Sequence, residues 1–372
     1  MKILFITNTL PPIVDGVGDY TYNIAKQFAE HDHDVYIVCK KNPAINTDVE
    51  GITVLPIVEK WNFNCHKPIV KLIKEKEIEI VTLQYVPHGF HPKGLPFALI
   101  KLTNEIKKCG TKLFSFCHEI LILPEKYNIK RNILSLLMKN ITRDIINNSD
   151  YAATSNEYYK LLSEDYIKVN KELNIIPIAS NIPFNEYDID YLKDLRDTIA
   201  KPEETIISFF GKRNIISCLE TVEELINEGI NIKILSIGKT DISNDNIDKR
   251  FIYNTGILDV DEISKYIQVS DILLLPEEKG FGCSFKSGSL IAALQNGATV
   301  ITTKGRMTSD LLINKQNVIF VDFQNKEELM EILKWCISNP SDCNTISNNA
   351  KKQFNYINWG NTYKSYIEIL NI

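Results

Sequence analysis

Short apolar runs alternate with stretches of helical spacing along almost the whole chain. The first run, "KILFITN" (Lys2–Asn8), ends ahead of Pro11 and Pro12 and reads as a buried parallel strand. Behind "IVDGVG", Tyr20, Ile24 and Phe28 recur at helical spacing, which predicts a helix reaching Glu30. Further strands are predicted at "DVYIVCK", "IEIVTLQYV" (Ile78–Val86), "TKLFSFCH" (Thr111–His118), "YAATS" (Tyr151–Ser155) and "LNIIPIAS" (Leu173–Ser180), with helical segments between most of them. Residues Pro183–Glu204 are polar and charged and read as a linker region. A second series follows at Thr205–Gly211, Asn231–Gly238, Arg250–Gly256, Asp271–Glu277, Ala298–Thr303 and Asn317–Asp322. Helix candidates between these include Cys218–Glu228, Val260–Val269 and Ser289–Gln295. The pattern predicts an α/β protein of two Rossmann-like, doubly wound halves facing a cleft. Ligands of such sheets bind outside the carboxyl ends of the strands, so the loops after each strand are the place to look.

Length supports two domains, since 372 residues exceed one ordinary core. The 44% hydrophobic and 24% charged content is that of a globular chain, and the net charge of −5 gives no reason to expect nucleic acid as partner. The apolar run in "MKILFITNTLPP" is too short for a leader peptide, and no stretch approaches the roughly 18 apolar residues of a spanning helix. The eight cysteines show no paired spacing and read as reduced thiols, which points to the cytoplasm.

Four loops have the residue types for chemistry. "DGVGDYT" places Gly16 and Gly18 where a strand opens into a helix, a position whose free amides favour an anion or a close ligand. In "FCHE", His118 and Glu119 sit just past a strand end, and a histidine there can donate a hydrogen bond or move a proton. "FFGKRN" puts Gly211, Lys212 and Arg213 behind the first strand of the second half, two cations suited to a diphosphate. "GFGCSFKSGSLIAALQNG" (Gly280–Gly297) combines Gly282, Ser284, Lys286, Ser287, Gly288 and Ser289 ahead of a helix. Ser289 or Ser287 would cap that helix, and a lysine beside free amides makes a diphosphate clamp. Each loop also has a plain structural reading as a turn, a strand-end contact or a capped helix. The acidic triplets Asp188–Asp190 and Asp259–Asp261 fit a linker and a helix cap better than a metal site.

The order of these motifs resembles that of the two-domain GT-B glycosyltransferases, specifically glycosyltransferase family four (group 1). "PPIVDGVGDYTYNIAKQFAEHDHDVYIV" is similar to the family's acceptor-side glycine loop, helix and strand. "LQYVPHGFHPKGLPFAL", "FSFCHEI" and "IPIASNIP" are similar to later strand ends of its first domain. "NTGILDVDEISKYIQVSDILLLPE" is similar to its nucleotide-binding half, and "FNYINWGNTYKSYIEIL" to its returning C-terminal helix. The resemblance implies an N-terminal acceptor domain over 1–182, a linker over 183–204, a nucleotide-sugar domain over 205–350 and a helix over 351–372 that crosses back to the first domain.

Two departures stand out. Lys212 and Arg213 are adjacent, where the family commonly spaces its basic pair. Lys279 and Ser287 stand where the family commonly has two glutamates around Gly-Phe-Gly. The loop instead resembles a branch with Gly-x-Ser-x-basic-x-Gly-Ser/Thr, matched by Gly282, Ser284, Lys286, Gly288 and Ser289. The resemblance implies a hexosyl- or related glycosyltransferase that uses a nucleoside-diphosphate sugar such as a UDP-sugar, retains anomeric configuration and needs neither metal nor cofactor. His118, Lys286 and Glu278 would serve the reacting centre, with Glu277 the alternative carboxylate. Donor contacts would come from Gly18, Gly211, Lys212, Arg213, Gly256, Leu258, Gly282, Ser284, Ser287, Gly288 and Ser289. Acceptor contacts would come from Gly16, Val17, Tyr20, Tyr85 and Glu119. The partners are then the donor and a glycan, lipid-linked or small-molecule acceptor, with no nucleic acid and with peripheral contact at the inner face of the membrane left open. A non-catalytic GT-B partner subunit is the alternative that the missing glutamates motivate. A nucleotide-sugar epimerase fits less well, and a Rossmann oxidoreductase lacks its third glycine after Gly16-Val17-Gly18.

Overall fold

The computed structural model describes residues 1–211, 213–238, 242 and 247–371. Lys212 therefore lies outside the described residues. The chain divides into two compact units, Met1–Ile178 with Trp359–Ile372, and Ala179–Asn358.

In the first unit, the strands are β1 (Lys2–Ile6), β2 (Asp34–Lys40), β3 (Asp48–Val49), β4 (Ile52–Val58), β5 (Ile80–Tyr85), β6 (Lys112–Cys117), β7 (Tyr151–Thr154) and β8 (Asn174–Ile175). Among the described residues they form one sheet in the order β3-β4-β2-β1-β5-β6-β7-β8. Every pairing is parallel except β3 with β4. Strand β5 is buried along its whole length, as a central parallel strand covered on both faces must be. Alternate residues of β1 serve opposite cores: Leu4 and Ile6 pack on one face, Ile3 and Phe5 on the other. The helices of this unit include α1 (Gly16–Glu30), α2 (His66–Lys76), α3 (Pro87–Phe90), α4 (Phe97–Lys108), α5 (Ile129–Asn148) and α6 (Glu157–Leu161).

The second unit opens with α7 (Ile189–Ile199) and then winds β9 (Thr205–Phe210), α8 (Ile216–Asn227), β10 (Ile232–Ile237), β11 (Ile252–Asn254), α9 (Val260–Gln268), β12 (Ile272–Leu275), α10 (Gly288–Asn296), β13 (Thr299–Thr302), β14 (Ile319–Phe320), α11 (Lys326–Ser338) and α12 (Pro340–Phe354). Its described strands form a parallel sheet in the order β11-β10-β9-β12-β13-β14. The last helix, α13 (Trp359–Leu370), belongs to the first unit, where Tyr366 and Leu370 join the core beside Tyr20 and Phe28.

Two expectations about organisation change. The segment 183–204, read as a linker, contains α7 and is part of the second unit. Leu192, Leu195 and Ile199 pack into that unit's core, and Arg196 donates to Asp271 at 2.9 Å and to the Glu204 carbonyl at 3.0 Å. The tail 351–372 is not one helix. It divides after Asn358: Phe354 ends α12 against Phe285 in the second unit, and only α13 lies in the first. Among the described residues, no helix is long and apolar enough to cross a membrane.

Candidate functional site

Strand order fixes where chemistry can gather in the second unit. Succession along the sheet reverses between β9 and β12, which are hydrogen-bonded neighbours. A ligand of such a sheet sits outside the strand ends at that switch. The loop after β9 carries Gly211 and Arg213, and the loop after β12 carries Glu277 and leads to α10.

These residues meet. Arg213 donates through Nη2 and Nε to Glu277 Oε1, at 2.8 and 3.2 Å, through Nη1 to the Phe210 carbonyl at 3.1 Å, and through Nη2 to Ser287 Oγ at 3.2 Å. Four of the five guanidinium N–H groups are thereby placed by the fold. Glu277 is itself held: its amide donates to Thr303 Oγ1 and its carbonyl accepts from the same hydroxyl. Ser287 is the cap of α10, with extended backbone and its hydroxyl accepting from the Leu290 amide. This settles the choice between Ser287 and Ser289. Gly288 and Ser289 fall in the first turn, where amides have no partner inside the helix and the helix dipole favours an anion.

Gly211 lies between these groups at φ +81°. A methyl group there would stand 2.8 Å from Arg213 Nη1 and 3.1 Å from Ser289 Oγ. A guanidinium from this loop and a hydroxyl from the first turn of α10 thus converge over backbone that only glycine leaves open. Lys286, half-buried, immediately precedes the cap, and its amide donates to the buried Ser284 at 3.4 Å.

Several expected donor residues are placed otherwise. A methyl group on Gly282 would meet the Gly305 nitrogen at 2.1 Å, and Met307 donates to the Phe281 carbonyl at 2.8 Å. Gly282 is therefore explained by backbone packed on backbone, with the Arg306 guanidinium 3.9 Å over the Phe281 ring beside it. Glu278 is exposed and its carbonyl accepts from the Phe281 and Gly282 amides. Of the two carboxylates, the structure brings Glu277 to Arg213. Gly256 is exposed at φ +67°, and Leu258 is partly buried against the core. The Cys283 thiol is pushed up to about 11 by burial, so this loop holds no ready thiolate.

The first unit has its own polar cluster at the ends of β5 and β6. His118 follows β6, is 2% exposed, and its Nε2 lies 2.9 Å from Gln84 Oε1. The Gln84 amide nitrogen donates to Thr82 Oγ1 at 2.7 Å and to the Tyr366 hydroxyl at 3.5 Å, which leaves its oxygen to accept from His118. This arrangement selects the tautomer with hydrogen on Nε2. Tyr20 lies edge-on to the His118 ring at 4.8 Å, and its hydroxyl is 3.3 Å from that of Tyr366. Sequence reading missed Gln84, although a glutamine in the apolar run "IVTLQY" was a signal.

Tyr20 and Tyr85, expected at the acceptor, are core residues. Tyr20 is 1% exposed, and Tyr85 is fully buried with its hydroxyl 2.9 Å from Thr142 Oγ1. Burial raises the pKa of both phenols, so neither is an acid or base near neutrality. Gly16 is exposed, and Val17 and Glu119 are half-buried. Asp15 caps α1 by accepting from the Gly18 amide at 2.8 Å. A methyl group on Gly18 would stand 2.8 Å from the Thr9 carbonyl oxygen, so this glycine serves the loop itself.

Residues 212–353 match the family described as Glycosyl transferases group 1, a stretch covering most of the second unit. No curated protein matches the chain in sequence. Among solved structures, a glycosyltransferase from Rickettsia africae aligns with TM-score 0.74 and 16% identity over 99% of both chains. Anabaena Alr3699/HepE in complex with UDP aligns with TM-score 0.72 and 14% identity over 100% of both chains. Sucrose-phosphate synthase from Thermosynechococcus elongatus aligns with TM-score 0.71 and 13% identity over 100% of this chain and 98% of its own. Identities this low speak to fold, and the fold is that of the GT-B glycosyltransferases.

Proposed function

We propose that the protein is a glycosyltransferase of the group 1 kind, moving a sugar from a nucleoside-diphosphate donor, UDP-linked in the first instance, to an acceptor. The observation that supports this most is the convergence of Arg213, Ser289 and the first turn of α10 over Gly211, at the switch point of the second sheet. Leaving-group departure concentrates negative charge on a diphosphate, and pre-placed donors there lower the barrier without reorganising. One relative in fold, Anabaena Alr3699/HepE, is described in complex with UDP and with UDP-glucose, which favours the UDP reading. Glu277, 2.8 Å from the Arg213 guanidinium, is the carboxylate we assign to the oxocarbenium-like sugar, in place of Glu278. His118 keeps the role at the donor sugar or reacting centre that the resemblance implies. The acceptor proton leaves with the departing phosphate. Configuration is retained, no metal takes part, and the reaction belongs to the cytoplasm.

A thermal-shift screen of UDP, GDP, TDP and CDP tests the donor site. The nucleotide at about 100 times its dissociation constant adds roughly 2.7 kcal/mol of stability. UDP is expected to give the largest shift, and the absence of any shift overturns the reading. The tie between Arg213 and Glu277 favours one second reading, a partner subunit that binds donor without turning it over. UDP release from UDP-sugars, followed with and without EDTA, separates the two. Turnover that EDTA abolishes and magnesium restores removes the metal-free assignment.

A further inference from the structure

Helix α5 packs on the first unit through Ser135, Met138, Ile141, Thr142, Ile145 and Ile146, all buried. At 100° per residue these residues mark one side, and Ile129, Ile133 and Leu136 fall on the opposite side. That side should be polar. Instead, Ile129 is 74% exposed, Ile133 56% and Leu136 54%. Just before the helix, Tyr127 is 89% exposed. Tyr127 also holds φ at +67°, a conformation that costs a bulky residue energy. The segment is tied down despite that cost: Arg131 Nε donates to the Leu123 carbonyl at 2.8 Å, and the Glu125 amide donates to Asn132 Oδ1 at 2.7 Å. Asn128 caps α5 through the Arg131 amide at 3.1 Å. These apolar groups are therefore presented on an ordered element.

Charge identifies the occupant. Residues 126–143 carry Lys126, Lys130, Arg131, Lys139 and Arg143 and no carboxylate, in a chain whose net charge is −5. Arg131 and Arg143 have carboxylate neighbours just outside or at the edge of this stretch, Glu125 at 3.7 Å and Asp144 at 3.8 Å, whereas Lys126 and Lys130 are exposed. A second copy of the same face would bring cations against cations in a two-fold contact. A nucleic-acid backbone would use the cations and leave the isoleucines and leucine in water. An anionic bilayer surface uses both: headgroups neutralise the lysines while apolar side chains enter the interface.

We propose that the Tyr127–Leu136 face of α5 docks the protein on anionic lipid, with Tyr127, Ile129, Ile133 and Leu136 in the headgroup boundary and Lys126 and Lys130 beside the lipid phosphates. The test is co-sedimentation of the full chain with vesicles of phosphatidylcholine alone and of phosphatidylcholine mixed with phosphatidylglycerol. Binding is expected with the mixed vesicles and not with phosphatidylcholine, and added salt weakens it. Each lysine near such a surface contributes about fivefold, so Lys126→Ala with Lys130→Ala lowers partitioning about 25-fold. Ile129→Gln, Ile133→Gln and Leu136→Gln together lower it at least tenfold, roughly the loss of three partly buried side chains. Both variants should melt with the parent, because the altered groups are exposed and glutamine and alanine are good helix formers. Failure to bind the mixed vesicles overturns the proposal. So does a glutamine variant that binds them as tightly as the parent, since the contact would then be with any polyanion. A concentration-dependent dimer that the glutamine variant abolishes would assign the face to a second copy instead.

Discussion

Replacing Arg213 by alanine tests the centre of the proposed donor site. The side chain is 12% exposed and Glu277 is 27% exposed, so both charges are partly withdrawn from water. Two N–H groups share one carboxylate oxygen at 2.8 and 3.2 Å. Charges about 4 Å apart attract by about 4 kcal/mol at an effective dielectric near 20. Desolvation of the two groups offsets much of that, but removing one partner leaves the other without its counter-charge. In the alanine variant, the Glu277 carboxylate stands alone next to the place assigned to the diphosphate. UDP then loses a charge-assisted contact of about 1.5–3 kcal/mol, or about 10- to 150-fold in affinity. Turnover falls by about 100- to 1000-fold, because the same cation faces charge that grows in the transition state. Adding Glu277→Gln to the alanine variant removes the stranded carboxylate and should recover part of the UDP affinity. Calorimetry with UDP on the parent, the two single variants and the double variant gives the coupling energy directly, and melting curves show that each is folded. A folded Arg213→Ala protein with parental UDP affinity refutes the cradle over Gly211. A double variant no better than Arg213→Ala refutes the claim that Glu277 acts through its charge.

Other consequences follow from single contacts. Gly282→Ala drives a methyl group into the Gly305 backbone at φ +73°, which should cost about 3 kcal/mol and lower the melting temperature by about 10 °C, with no change expected if the loops separate freely. Ser287→Ala removes the α10 cap and an Arg213 partner, costing about 1 kcal/mol by melting, whereas Lys286→Ala should leave the melt unchanged and lower the rate of UDP release. Gln84→Leu takes the acceptor from His118 Nε2 and should cost about 1–3 kcal/mol of stability along with turnover; parental turnover would detach His118 from the reaction. His33 accepts or donates at 2.9 Å with the Tyr363 hydroxyl of α13, and burial, then the terminal amine, hold its pKa below the usual value. A group with a lowered pKa takes up its proton more readily when unfolded, so its contribution is present above pH about 6.5 and is lost as pH falls further. Melting followed from pH about 7 to about 5.5 should show this loss in the parent and not in His33→Gln.

The strands most legible in the sequence are those covered on both faces. "IVTLQY" and "ILLL" become β5 and β12, buried from end to end, and such runs announce themselves. Two strands were passed over: β3, of only two residues, and β4, "ITVLPIV", whose apolar pattern is broken by Pro56 and whose pairing with β2 shifts register between Val38 and Lys40. Helix α7 was hidden by composition. Eleven residues with Asp, Lys and Arg at five positions read as linker, yet Leu192, Leu195 and Ile199 at spacings of three and four were enough to seat it. Polar content describes the exposed side of a helix, and the buried side needs only three residues.

The candidate site shows a different limit. Arg213 and Glu277 are 64 positions apart, and His118 and Gln84 are 34 apart. Each pair joins loops or strands that are adjacent in a sheet, β9 with β12 and β5 with β6. A strand pattern states that a strand exists and says little about its neighbour, so residues can be suspected singly while their partners stay hidden. Glycines pose the same problem more sharply. Gly211 and Gly282 were both expected among the donor contacts, and both have positive φ. One opens onto a guanidinium and a hydroxyl, the other onto the backbone of Gly305. The need for glycine is common to both, and what stands opposite decides which is a site. That opposing group comes from 78 residues onward in one case, Ser289 of α10, and 23 onward in the other, Gly305. Only the fold supplies it.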